Sequence, residues 1–424
     1  MTTLSSLLVK LYGIRLQYFY NEMDIHVMKA IDCRDFFFSV LSLMLLSCSD
    51  GNNHSSVDTT VPYREYDFSA ADQALQELVD RHEAFDGSSM IIVHKDRGVI
   101  HRAAVGTHDL DTISLLASSS KMISATLLMT LAEDDGLNFD INLPVENYLP
   151  ADWDPLYTGF TTEQILSNAS GLPGLIPLVP EFSCQHGFGN PDQTLMECVE
   201  YILHTPINQN RFPVLAPNTK FQYGGAQWQI AGAVAELVSS MYWNDILRER
   251  ILEPCELEVL TYGNPYGVFI DNPPAWTGTV DSLPGQMNPS ISGGAIASMD
   301  DYAKLLLMHL NDGMCGENRV LTKSAVEFMR VDRGSAIGSV EQTGQGYGLG
   351  WSIEPPAEGE EATLFYDNGL FGTTVWIDTA RGYGVFLSLQ HIAVDVEGDG
   401  RDDVKTIIQP LIESEIDRNL GAIQ

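Results

Sequence analysis

The sequence predicts an α/β protein of the α+β type, an antiparallel sheet flanked by helices and interrupted by a mostly helical second domain. Two observations predict it. A helix, a β-hairpin and a helix apolar on nearly all sides open the folded chain, and a run of strands followed by a helix closes it. Between them, residues from about 140 to 290 are rich in Pro, Gly and Asn and carry separate helices. The chain has 424 residues with 44% hydrophobic content, enough to bury cores for about two to three domains. We assign residues 67–140 and 290–424 to the α/β domain and 141–289 to the helical one.

The N-terminus reads as targeting rather than fold. Met28 and Lys29 open a weakly basic stretch, and an apolar run from Phe36 to Ser47 ends at Cys48. About a dozen apolar residues are too few for a stable membrane span and suit a signal peptide. Leu45-Leu46-Ser47-Cys48 resembles a bacterial lipobox, in which the cysteine becomes the lipidated first residue. Residues 1–47 are therefore read as a leader with its start at Met28, and 48–66 as a polar tether. A periplasmic protein anchored to a bacterial membrane through Cys48 is expected, and an ordinary secretory signal is the alternative.

Export makes the other cysteines intelligible. Cys184, Cys198, Cys255 and Cys315 remain after the leader, an even number in an oxidising compartment. Three connectivities are possible. Cys184 with Cys198 closes a short loop and leaves Cys255 with Cys315, the pairing we expect. None of the four has zinc spacing, and no cofactor is called for.

Each element has a local signature. Phe68–Phe85 has helical period with Ser69 as cap. Ser88–Gly106 is two β-rich runs around Lys95-Asp96-Arg97-Gly98, a hairpin signal. Lys121–Gly136 is apolar on nearly all sides, as a helix in the middle of a domain is. Helices follow at AQWQIAGAVAELVS, at WNDILRERIL and, behind a Ser298 cap, at SMDDYAKLLLMHLND. GYGLGWSIE, ATLFYDN, TTVWID and YGVFLSLQ are strands, and the last helix, DDVKTIIQPLIESEIDRNL, carries a kink at Pro410. Asp395–Asp403 resembles the start of a calcium loop, but Thr406 stands where a bidentate Glu is needed, so a charged turn is expected.

The net charge of −34 excludes nucleic-acid binding, which needs a basic face. Chemistry concentrates instead at Ser118 and Lys121, in ASSSKMIS. Three residues apart on a helix they share a face, so hydroxyl and amine come within hydrogen-bond reach. Burial among apolar neighbours disfavours a charged lysine, and the neutral amine can take the serine proton. Free N–H groups at the helix N-terminus can donate to an oxyanion. A cleft between the two domains is the expected site.

At these residues the chain resembles the serine β-lactamase and penicillin-binding-protein-like superfamily, closest to the class C and esterase branch. ASSSK is similar to its first motif, FTTEQILSNASGLPGL to its LL-x-H-x-SGLP segment, and APNTKFQYGGAQWQIAGAVAELVS to its PG-x-x-F-x-Y block. SGGAIASMDDYAKLL, GYGLGW and GLFGTTVWID complete the series in order. The resemblance implies that Tyr223 relays the proton to the leaving group, and that backbone N–H groups of Ser118 and Leu370 form the oxyanion site. Gly369, bare of a side chain, would let substrate lie along the strand edge.

Two departures narrow the substrate. The family's Tyr-x-Asn is here Tyr223-Gly224-Gly225, which removes an amide that binds substrate. Its Lys-Thr-Gly or His-x-Gly is here Asp367-Asn368-Gly369, and an aspartate in place of the cation would repel a β-lactam carboxylate. An exported serine hydrolase acting on a small-molecule or peptide ester or amide, and a poor β-lactamase, is the expectation. The alternatives are a cell-wall D-amino-acid peptidase or weak β-lactamase, and a non-catalytic penicillin-binding-like module.

Overall fold

β1 (Gly87–His94) is buried along its whole length because the layers on both of its faces are apolar. Met90 and Ile92 enter one hydrophobic cluster, Ile91 and Val93 the other. β1 pairs antiparallel with β2 (Gly98–Gly106) across the expected Lys95–Gly98 turn. The computed structural model describes residues 65–82, 85–175, 179–186, 192–267, 275–391 and 403–420. The leader, Cys48, the tether and most of the Asp395–Asp403 acidic loop lie outside the described residues.

The late strands complete the sheet. β3 (Ile113–Leu115), β4 (Thr261–Tyr262) and β5 (Ala295–Ser298) form a separate three-stranded sheet in the order β3-β5-β4. β6 (Gly346–Tyr347), β7 (Ser352–Ile353), β8 (Leu364–Tyr366), β9 (Thr373–Asp378) and β10 (Tyr383–Ser388) join β1 and β2 in the order β2-β1-β10-β9-β8-β7-β6. Every pairing among these described strands is antiparallel, and β10 lies against β1, so the end of the chain closes on its beginning.

Helices cover both faces. α1 (Ser69–Arg81) buries Leu75, Leu78 and Val79 on one face, beside Ile412 and Ile416 of the last helix. On the other lie α2 (Lys121–Ala132), α3 (Leu195–His204), α4 (Ala226–Ser239) and α5 (Met299–Leu310), sharing one core. Residues Tyr66–Ile416 form one compact unit.

Three local expectations change. Ser69 is the first helical residue rather than the cap, and its N–H donates to Asp67 Oδ1 at 3.1 Å, so the aspartate satisfies that end. WNDILRERIL is not one regular helix: an α-turn at Trp243–Leu247 passes into a π-turn at Arg248–Leu252. A second π-turn, Val404–Ile408, leads into α6 (Gln409–Leu420) just ahead of Pro410, whose ring lacks the N–H that a regular turn requires. Ser298 caps α5 as expected, accepting from Asp301 N–H at 3.1 Å. Disulfides join Cys184 to Cys198 and Cys255 to Cys315, with Cα separations of 5.6 and 5.0 Å.

Candidate active site

Ser118 does not lie on α2 itself but in the 3₁₀ turn Ala117–Ser120 that runs directly into it. Ala117 adopts φ +46°, a left-handed conformation that costs an L-residue about 1–2 kcal/mol. The turn holds this shape because its polar groups are tied to the scaffold. Thr373 Oγ1 donates to the Leu116 carbonyl at 3.0 Å, and Ser119 Oγ donates to the Asp367 carbonyl at 2.6 Å. Tyr302 and Tyr262 donate to the Ser119 and Ser120 carbonyls at 2.9 and 2.7 Å. Ser118 itself stays half-buried, while Ser119 and Ser120 are buried.

Eleven of the twelve α2 residues are buried, Lys121 among them. Its Nζ lies 3.1 Å from Ser118 Oγ and donates to the Ser292 carbonyl at 2.9 Å. The Tyr223 ring centroid is 4.5 Å from the same nitrogen and that of Trp228 5.7 Å. The structure thus brings Ser118, Lys121 and Tyr223 together. Tyr223 packs in a three-ring cluster with Phe221 at 6.2 Å and Tyr347 at 6.0 Å, the latter edge-on.

The turn after Tyr223 depends on Asn168, which the sequence reading did not single out. Its side-chain oxygen accepts from Gly224 N–H at 2.9 Å and from the Trp228 indole at 3.0 Å, and its carbonyl accepts from Gln222 N–H at 2.9 Å. Asn168 sits at φ +57°, a conformation asparagine tolerates better than most residues. The available signal was its place in SNASGLPG, where the family block carries histidine. Gly225 has φ +83°, and a Cβ there would press on the Pro173–Gly174 backbone at 3.1–3.3 Å. Backbone packing therefore disfavours the family's asparagine at this position.

Asp367 differs from expectation. The residue is 4% exposed, and its side chain turns beneath α2. Oδ2 accepts from Met122 N–H at 3.1 Å and from the Tyr302 hydroxyl at 3.3 Å. Burial holds this carboxyl well above the usual carboxylate range, although Met122 N–H, the Lys121 charge and Tyr302 each pull it down. The like-charge argument against anionic substrates fails here; what remains is that this position supplies no cation. Gly369 lies against the turn that carries Ser118, where a Cβ would collide with the Leu116 carbonyl and Thr373 Oγ1. Leu370, next along, is half-buried and packs with Ala117 and Phe371.

His186 is a second neighbour that the sequence did not mark. Burial, reinforced by the charge of Lys121, pushes its imidazole down to about 4. It is therefore uncharged at neutral pH.

The chain is similar to known proteins in sequence and in fold. Penicillin-binding protein 4 of Amycolatopsis lactamdurans is 24% identical over 273 residues, covering 60% of this chain and 66% of that one. An unguisin hydrolase of Aspergillus campestris is 25% identical over 305 residues, covering 65% of this chain and 52% of that one. The chain thus spans only about half to two thirds of these relatives' lengths. Among solved structures, EstCE1, a hydrolase with promiscuous acyltransferase activity, shares the fold with a TM-score of 0.63 at 17% identity, over 81% of this chain and 98% of that one. The Beta-lactamase family model matches residues 71–402. That match runs from α1 past β10 and takes in Ser118, Lys121 and Tyr223, and on it the chain belongs to the β-lactamase family, the serine hydrolases related to penicillin-binding proteins.

Proposed function

We propose that this protein is an exported serine hydrolase that acylates Ser118 with an uncharged ester or amide and turns over β-lactams poorly. The observation that carries the reading is Lys121 Nζ 3.1 Å from Ser118 Oγ, with the serine half-buried on a turn whose other polar groups are engaged. In the acylation step the Lys121 amine takes the hydroxyl proton as Oγ bonds to the substrate carbonyl carbon. The backbone N–H groups of Ser118 and Leu370 are the proposed oxyanion donors. As the tetrahedral centre collapses, the bond to the leaving group breaks and the proton passes by way of Tyr223 to the departing oxygen or nitrogen. Water then repeats the sequence on the Ser118 ester, with Lys121 and Tyr223 as its base, and releases the acid.

The substrate preference rests on two recognition positions. Gly225 provides no side-chain amide, and Asp367, turned inward, provides no cation for a carboxylate. Two disulfides support an oxidising compartment, and anchoring through Cys48 is part of the same proposal. A cell-wall peptidase is the second reading, supported by the penicillin-binding relative. A binding module without turnover is disfavoured by the intact Ser118, Lys121 and Tyr223 cluster.

Incubating the protein and Ser118→Ala with a fluorophosphonate probe, a short-chain chromogenic ester and a cephalosporin tests this. Labelling and ester hydrolysis in the wild type only, with cephalosporin turnover slower by about 100-fold or more, is the expected result. Labelling that survives Ser118→Ala would remove the nucleophile assignment, and rapid cephalosporin turnover would remove the substrate preference.

A further inference from the structure

Three rings line one side of the site. The His186 ring meets Tyr266 edge-on at 5.4 Å, and Tyr266 lies at 5.7 Å and 33° to Phe371. The middle ring and one end of the row touch catalytic elements. Tyr266 Oη donates at 3.0 Å to the carbonyl of Gly293, the neighbour of Ser292, whose carbonyl holds Lys121. Phe371 follows Leu370 and belongs to a small apolar cluster with Ala117, the residue before the nucleophile. This cluster is separate from the main core and only partly buried: Phe371 is buried, whereas Tyr266 and Leu370 are half-buried, as is the adjoining His186.

The side chains of this wall are uncharged in a protein of net charge −34. His186 carries no charge at neutral pH, and Asp367 points away beneath α2. A carboxylate laid on these rings would lose water and gain no ion pair from them, which is costly. An apolar ring would lose little water, cover the half-open faces of Tyr266 and Leu370, and gain from edge or offset stacking.

We propose that His186, Tyr266, Leu370 and Phe371 form the specificity surface of the Ser118 site and take an aromatic or branched apolar group attached to the scissile ester or amide. This rests on the hydrolase reading above. The surface sits beside the nucleophile turn, so it binds the portion of substrate next to the reacting carbonyl.

The test uses methyl acetate, methyl phenylacetate and benzyl acetate, with acid release followed at constant pH. Wild type is expected to favour at least one aromatic ester over methyl acetate in kcat/KM by about tenfold. Tyr266→Ala should lower that ratio by about tenfold, chiefly through KM, whereas Tyr266→Phe, which keeps the ring, should retain it. Leu370→Ala keeps its backbone N–H and should lower the ratio a few-fold; it decides the matter if Tyr266→Ala does not fold, as judged by its melting curve. A wild type with no preference, or a ratio unchanged in the folded Ala variants, would overturn the specificity surface while Ser118 still labels with fluorophosphonate. A wild type that neither labels nor hydrolyses any ester would instead overturn the hydrolase reading beneath it.

Discussion

Ala117 holds its unfavourable φ of +46° directly before Ser118, the proposed nucleophile, and the hydroxyls of Thr373, Tyr302 and Tyr262 hold the turn around it. Strain kept in place by its surroundings is a means of presenting one side chain in one direction. Asp367 is part of that surround, and its protonation has a consequence for stability. Its folded value lies well above the ordinary 3.8 because it is buried. The folded chain therefore binds that proton more tightly than the unfolded chain. The resulting stabilisation is complete below about pH 3.8 and is lost as pH rises toward the folded value. Asp367→Asn has no such proton to lose and keeps an acceptor for Met122 N–H and Tyr302. Relative to wild type it should gain melting temperature as pH rises above about 4. A difference independent of pH would show that the carboxyl does not titrate as described.

At the scale of elements, the site is a seam between the β8–β9 connection and the turn ahead of α2. Gly369 makes the seam possible, since any Cβ there meets the Leu116 carbonyl and Thr373 Oγ1. Gly369→Ala must push the two apart. It should destabilise the fold by about 1–3 kcal/mol, as overpacking does. Fluorophosphonate labelling of Ser118 should slow by roughly 100-fold, because a displacement of about 1 Å in an active site is that costly. Wild-type labelling and melting in this variant would mean that the seam tolerates a side chain. α5 contributes from the opposite side. Its Ser298 cap starts the helix at Met299, and Tyr302 in the first turn reaches both Ser119 and Asp367.

At the scale of the whole molecule, the two disulfides brace distant parts of a strongly acidic chain. They close separations of 14 and 60 residues. By loop-closure entropy they stabilise the fold by about 3 and about 4 kcal/mol respectively. Removing Cys255–Cys315 by double serine substitution should therefore lower the unfolding free energy more than removing Cys184–Cys198. Denaturant titration measures this, and the reverse order would refute loop closure as the main source.

Much of this protein was legible in its sequence because the signals were local. An apolar helix all round, Ser118 three residues before Lys121, a Ser298 cap and a hairpin turn are properties of neighbouring residues, and physical chemistry acts on them over one or two turns of chain. The Tyr223 block was legible through the order of family segments. What the sequence did not determine was where side chains point when distant segments meet. Asp367 was read as facing substrate and instead tucks under α2, 245 residues away from its partner Met122. Asn168 and His186 gain their meaning only from contacts with Gly224, Trp228 and Tyr266, and Gly225 from backbone packing on Pro173–Gly174. The sequence by itself determined the Ser118–Lys121 pair proposed as nucleophile and base; the tertiary structure decided the surroundings that hold them and the surface proposed for a substrate, because those depend on long-range packing that no local pattern encodes.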